Sequence, residues 1–239
     1  RNSQDGITQY KNDKVNLTFY TTNDQRKLSV NWVNFENGQA LKAEYKLNLP
    51  AGHESMNLVI PIEKRRFYFN RKINCLPATG WVEYLGQKYD LSPNTALGNL
   101  DWGRGVWAYD SFWVWASASG FTTDQQTIGL NMGYGFGDTS AASENAFILD
   151  GKIHKIGKIE FTYNPNDFMQ PWTLKTATSD EVDLRFVPFY EKASNLNLLV
   201  LRSKTHQMFG HFTGTLRVGD TRLEIAHAPG WAEEHLARW

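Results

Sequence analysis

Three side chains that could move or hold a proton stand out in this sequence: Asp101, Glu144 and His206. Asp101 falls in LDWGRGVWAYDSFWVWASASG, residues 100–120, which holds four of the chain's nine tryptophans. In an enzyme with a Trp-lined cavity, Asp101 or Glu144 would donate a proton inside it, with Arg104 or His206 steadying the resulting charge. Arg104 lies in the same stretch, where a guanidinium is costly unless it meets a carboxylate or a ligand anion. Two readings stand side by side: an Asp101–Arg104 clamp bracing a turn, or an arginine turned toward a ligand. Gly103 and Gly105 permit positive φ and a close approach by another chain or a ligand.

Glu144 follows a glycine-rich run, GLNMGYGFGDTSAASENA, and opens the strand-like NAFILD, where a rim carboxylate can act as general acid or base. Gly133, Gly135 and Gly137 alternate, unlike the dinucleotide fingerprint, and no βαβ unit follows, so nucleotide binding is not expected. Asp138 reads as a solvated loop carboxylate. None of the six histidines shows the helical HExxH spacing, and Cys75 is the sole cysteine, which excludes a thiolate cluster and an intrachain disulfide. No metal and no cofactor is expected. A GxSxG elbow is also missing, which removes the usual serine-hydrolase reading. Trp172, in MQPW, is expected to cap a cavity from a loop.

The elements that must position these residues are strands. In LKAEYKLNL, Leu41, Ala43, Tyr45, Leu47 and Leu49 alternate with polar residues, the pattern of a strand with one buried face. KVNLTFY, KLSVNW and EVDLRF alternate in the same way, and WVEYL, TIGLNMG, NAFILD, KIEFTY, NLLVLRS, GTLRVG and RLEIAH are further short runs that fit strands. Asn37-Gly38, Asp150-Gly151 and Gly219-Asp220 mark hairpin turns. LDGKIHKIGKIEF predicts two successive hairpins, the second turning near Gly157, and GWAEEHLARW predicts a short C-terminal helix. In FWVWASAS, Trp113, Trp115, Ser117 and Ser119 share a face; an indole-to-hydroxyl gradient suits a barrel interior with an apolar depth and a polar mouth, the plain alternative being core packing. Many short strands imply an all-β sandwich or barrel. The boundary falls between residues 1–77, a partial N-terminal sheet, and 78–239.

Lysine plus arginine balances aspartate plus glutamate at 25 each. Zero net charge argues against a nucleic-acid partner and against electrostatic docking to anionic lipid. No run approaches the ~20 apolar residues of a membrane helix and no signal peptide is visible, so no integral membrane segment is expected. The single cysteine favours a reducing, cytoplasmic setting.

Together, LDWGRGVWAYDSFWVWASASG, GLNMGYGFGDTSAASENAFILDGKIHKI, FMQPWTLKT, VDLRFVPFYEK, NLLVLRSKTHQMFGHFTGTL and GWAEEHLARW resemble the family called domain of unknown function 2804. The resemblance runs in order from about Glu54 to Trp239, more weakly over residues 1–53, and the family's usual members extend further at the N-terminus. It implies an antiparallel lipocalin-like β-barrel or sandwich, with a complete C-terminal barrel and part of an N-terminal one, similar to calycin-like carotenoid hydratases and tocopherol cyclases. Positions carrying the pattern include Asp101, Arg104, Trp107, Trp113, Asn131, Glu144, Asn145, His154, Trp172, His206, Gln207 and Glu233; the resemblance assigns none a role.

The expected function is binding of an apolar, isoprenoid-like small molecule in a Trp-lined cavity, with Arg104, Trp107, Trp113, Trp115, Asn131, Asn145, His154, Trp172 and Gln207 as its contacts. Any chemistry would be acid–base hydration, cyclisation or isomerisation by Asp101, Glu144 and His206. A carbohydrate-binding or glycoside-processing sandwich, or a structural module without chemistry, are the alternatives, and the direction of the indoles separates them.

Overall fold

A computed structural model describes residues 4–198 and 200–238, so Trp239, which closes the family-like pattern, lies outside it. Every regular element among the described residues is a β-strand, and no helix is long and apolar enough to cross a membrane. The chain divides into two compact units, Arg1–His53 with Cys75–Asn99, and Glu54–Asn74 with Leu100–Trp239.

The first unit is an antiparallel meander of β1 (Gly6–Lys11), β2 (Val15–Thr21), β3 (Gln25–Glu36) and β4 (Gln39–Asn48). After β5 (Met56–Glu63), strand β6 (Arg66–Tyr84) pairs its later half with β4 and with β7 (Gln87–Leu91). The period of two explains β4, which buries Ala43 and Leu47 and exposes Lys42, Glu44 and Lys46. Asn37 and Gly38 adopt φ of 50° and 80°, the mirror-image turn that matches strand twist.

The second unit carries β5, the first half of β6 and the end of β8 (Leu97–Gly105). It also holds a nine-stranded antiparallel sheet built from β9 (Asp110–Phe121), β10 (Thr127–Tyr134), β11 (Ala146–Leu149), β12 (Lys152–Lys155), β13 (Ile159–Thr162), β14 (Trp172–Thr176), β15 (Val182–Asn197), β16 (Arg202–Val218) and β17 (Thr221–Arg238). Its order is β12-β11-β10-β9-β17-β16-β15-β14-β13. The sheet curls on itself, bringing Phe161 of β13 within 5.7 Å of Tyr134 at the end of β10. Val114, Ala118, Leu130, Trp172, Phe186 and Phe212, all essentially sealed from solvent, fill the enclosed side. The expected all-β, lipocalin-like architecture is the observed one.

Four local expectations are corrected. The interior of the curl is a packed core, and Trp113 and Trp115 alternate with Val114 and Ala116, so the indoles face the other side of the sheet. Residues 152–163 do not form a second hairpin: β12 and β13 occupy the two ends of the sheet, and β13 pairs with β14. GWAEEHLARW is strand up to Arg238, not helix, because β9 and β16 flank it and supply ladders on both sides, overriding the helical preference of Ala, Glu and Leu. NLLVLRS is not one strand: β15 ends at Asn197 and β16 starts at Arg202, and the Leu198 N–H donates to the Leu201 carbonyl at 2.7 Å across the reversal.

Trp172 is a core residue. Its Nε1–H donates to the Phe168 carbonyl at 2.9 Å and its ring stacks on Tyr163 at 4.0 Å. Trp172→Ala is therefore expected to lower the unfolding free energy by about 3–5 kcal/mol, whereas Arg104→Ala, at an exposed position, should stay within about 0.5 kcal/mol. Urea unfolding of the two variants measures both.

Candidate functional site

Register across the nine-stranded sheet decides which side chains meet. Gly133 of β10, Trp115 of β9, Glu233 of β17 and Gln207 of β16 lie directly opposite one another in turn. Opposed residues of a pleated sheet share a face, so these four form one row on the side away from the core. Asn131, Ser117 and Trp231 form the row on one side of it, and Trp113, His235 and Thr205 the row on the other. Within the rows the Trp113 Nε1–H donates to Glu233 at 2.8 Å, Gln207 Nε2 donates to the other carboxylate oxygen at 2.7 Å, and Trp113 stacks on His235 at 4.1 Å.

Strands β5, β6 and β8 of the same unit supply the remaining walls. Alternation along β6 turns Tyr68 and Lys72 into the site, and alternation along β8 adds Asp101. Gly103 and Gly105 act through close approach rather than positive φ: a Cβ on Gly103 would lie 2.4 Å from the Tyr68 ring, and one on Gly105 would lie 2.1 Å from the Phe67 carbonyl oxygen. The glycine-rich loop after β10 returns over β5, with the Asp138 N–H donating to the Pro61 carbonyl at 2.7 Å, and delivers Phe136 and Glu144. Phe136 meets Tyr68, Trp107 and Trp113 edge-on at 5.1, 5.7 and 5.4 Å. The result is a half-open cavity of about 180 Å³.

Its charge centres on Lys72, whose side chain is only 6% exposed. The ammonium lies 3.0 Å from Glu144, 3.8 Å from Asp101 and 3.8 Å above the Trp115 ring. Asn70 Nδ2 donates to the same Glu144 oxygen at 2.8 Å. Asp101 stands at the mouth with 42% of its side chain exposed, yet the surrounding protein raises its pKa, with Lys72 opposing the rise and Glu144 adding to it. Glu233 is also pushed up, by burial first, against the hydrogen bonds from Trp113 and Gln207. Burial, then the nearby Asp101 and Glu144 charges, hold the Tyr68 hydroxyl well above the ordinary tyrosine range, so it remains a donor.

Asparagines fix the frame behind these groups. Asn131 accepts from Trp115 Nε1 at 2.9 Å and donates to the Glu144 carbonyl at 2.8 Å. Asn145 accepts from the Gly133 N–H at 2.8 Å and donates to the Gly157 carbonyl at 3.3 Å. Asn74 donates to the Ser117 hydroxyl and to the Ala118 and Leu130 carbonyls at 3.0–3.1 Å.

The structure thus brings together Asp101, Trp107, Trp113, Trp115 and Glu144 around the cavity, with Asn131, Asn145 and Gln207 holding them from behind. It places four expected residues elsewhere. Arg104 cannot clamp Asp101, because residues three apart on a strand point to opposite faces; it is exposed, and the cation beside Asp101 is Lys72. His154 stacks on Phe147 at 5.1 Å, Trp172 lies in the core, and His206 pairs with Glu191 at 2.6 Å against the Phe168 ring. Lys72 and Tyr68 escaped the sequence reading because RFYFNRKINCLP looks like a boundary; their common alternation with Asn70 was the available signal. Among the described residues no three His, Cys, Asp or Glu side chains converge as metal ligands.

Comparison with known proteins shows the family. Residues 1–239 match the family model described as Domain of unknown function (DUF2804). None of the curated proteins matches the chain. Among solved structures, kievitone hydratase from Nectria haematococca is similar with 12% identity and a TM-score of 0.47, covering 94% of this chain and 83% of its own. CghA is similar with 11% identity and a TM-score of 0.45, covering 98% of this chain and 69% of its own.

The Lys72 geometry has a measurable consequence. Lys72→Met leaves two carboxylates facing each other without a cation and is expected to destabilise the protein by about 3–5 kcal/mol near neutral pH. Removing the cation raises the folded-state pKa of Asp101 further above its unfolded value, so the folded state binds more protons and stability falls as pH rises. The loss should accordingly be smaller at about pH 4 than at neutrality, where ordinary carboxylates are ionised. Thermal melts of both proteins across pH check the sign.

Proposed function

The chain belongs to the DUF2804 family, and from that premise and the geometry of its site we propose that it binds an apolar, isoprenoid-like small molecule in the cavity and protonates it there. The observation that carries the reading is the Lys72 ammonium held between Asp101 and Glu144 on the face of Trp115, inside aromatic walls. A dry engineered cavity of roughly 150 Å³ admits a benzene ring, so about 180 Å³ suits one ring or one branched isoprenyl unit, the remainder of a longer molecule lying out through the mouth. Trp107, Trp113 and Phe136 provide wide, stiff walls. The indoles are turned into the cavity, and those of Trp113 and Trp115 have their N–H groups committed to Glu233 and Asn131. That favours an apolar ligand over sugar stacking, which needs a flat exposed platform.

Asp101 is the proton donor in this reading. Its raised pKa keeps the acid form available, and its O–H bond breaks as a new C–H bond forms on the substrate alkene. The carboxylate left behind lies beside the Lys72 ammonium. The carbocation formed meets aromatic faces, which attract cations. Water attack with loss of its proton to Asp101 gives hydration; loss of a proton from a neighbouring carbon to Asp101 gives isomerisation; attack by an internal alkene closes a ring and moves the positive charge to a ring carbon, and loss of a neighbouring proton to Asp101 completes cyclisation. Glu144 holds Lys72 in place beside Asp101. His206, outside the cavity, takes no part.

Geraniol and farnesol are expected to quench tryptophan fluorescence, and oligosaccharides to leave it unchanged. Asp101→Asn should fold and bind as the parent does, but incorporate deuterium from heavy water into the bound alkene about 100- to 10,000-fold more slowly, read by mass spectrometry. Loss of the fold in Asp101→Asn, or no quenching by any isoprenoid alcohol, would remove the support for this assignment.

A further inference from the structure

The hairpin joining β15 and β16 presents an apolar surface that the cavity does not use. Residues 192–198 are all exposed. Consecutive exposure along a strand means that both faces are open to solvent, so this arm projects past the body of the sheet. Its tip is aliphatic where turns are normally polar: Leu196, Leu198, Val200 and Leu201 are exposed, Val200 by 65%. Tyr109 is tied to this tip through its hydroxyl, which donates to the Val200 carbonyl at 3.4 Å. Tyr109 and Val106, both exposed, flank Trp107, a wall of the cavity. The apolar tip and the cavity mouth therefore share one segment of chain.

Cations outnumber carboxylates around the tip. Lys192, Arg202 and Lys204 sit on the two arms just behind it, whereas the nearby carboxylates are engaged, Glu191 with His206 and Asp110 with Arg238. The chain's zero net charge conceals this local excess.

We propose that this hairpin docks on a lipid bilayer carrying anionic headgroups, with Leu196, Leu198, Val200 and Leu201 entering the acyl boundary and Lys192, Arg202 and Lys204 meeting the headgroups. A fluid bilayer fits better than a second copy of this chain. Aliphatic side chains around a reversal point in several directions, which an acyl phase can surround and a flat protein face cannot. Basic residues behind an apolar tip complement a negative membrane surface. Tyr109 and Trp107 match the residue types that settle at membrane interfaces. The proposal rests on the apolar-ligand reading only for its consequence, that ligand passes from the acyl phase past Val106 and Trp107 into the cavity.

Sedimentation with vesicles tests the docking. The full chain is expected to partition onto phosphatidylcholine vesicles containing phosphatidylserine, and more weakly onto phosphatidylcholine alone. The double variant Leu198→Glu, Val200→Glu should lose at least about 100-fold in partitioning, with an unchanged melting temperature because both positions are exposed. Replacing Lys192, Arg202 and Lys204 by Gln should reduce binding to the anionic vesicles about five-fold per residue, and added salt should mimic that loss. Absence of vesicle binding by the parent chain overturns the proposal, as does binding that the double variant retains. A dimer in light scattering that the double variant dissociates, without vesicle binding, assigns the surface to a second copy instead and also overturns it. Geraniol quenching in vesicle-free buffer reports the cavity reading separately, so either idea can fail while the other stands.

Discussion

A lysine ammonium almost removed from water sets the terms for the candidate site. A bare charge in an apolar interior is expensive, and Lys72 is tolerable there only because two carboxylates and an indole face surround it. Each partner comes from a different segment: Asp101 from β8, Glu144 from the loop before β11, Trp115 from β9, and the lysine itself from β6. The cavity exists because these segments must converge on one cation while bulky aromatic rings keep the space beside it from collapsing. Removing water also strengthens every interaction within reach of the ammonium, which is why the pKa of Asp101 is contested between burial and a nearby positive charge.

One sheet serves two purposes because a strand has two faces. Along β9, Val114, Ala116 and Ala118 belong to the apolar core, and Trp113, Trp115 and Ser117 belong to the site side. A lipocalin-like barrel is expected to hold its ligand inside. Here the interior is sealed by Trp172, Phe186 and Phe212, and the site lies on the reverse of the same strands. Core and candidate site are thereby separated by a single-residue step along the chain, and a core substitution reaches the candidate site only by shifting a strand it shares.

How far this was legible in the sequence follows from the same geometry. Alternation and Asn-Gly or Asp-Gly turns are local signals, so most strands and the all-β class could be read directly. Alternation showed that Trp113 and Trp115 share a face, but not which face is enclosed, because Val114 and Ala116 are apolar too. The segment 230–238 was misread because a central strand flanked on both sides loses its polar alternation. Asp101 and Glu144 were recognisable as carboxylates in unusual company; their shared cation was not, since Lys72 is 29 residues from one and 72 from the other, and only register brings them together. Arg104 drew attention by proximity in sequence, which on a strand is a poor guide: three residues along is the opposite face.

The precision of the site resides less in the ionisable groups than in the amides behind them. Asn131 joins the Trp115 indole to the Glu144 backbone, and Asn145 joins the Gly133 N–H to the Gly157 carbonyl. An asparagine offers a donor and an acceptor at fixed separation, so each can tie two segments that the sheet ladder does not connect. Both are buried, where an unsatisfied amide would be costly, and this gives the loop carrying Glu144 a reason to occupy one position. A long ionic side chain such as Lys72 has many rotamers and cannot choose its own place. The amides hold the carboxylate, the carboxylate holds the ammonium, and the ammonium reaches Asp101 at the mouth, so order is passed outward from buried neutral groups to the charged ones that a ligand would meet.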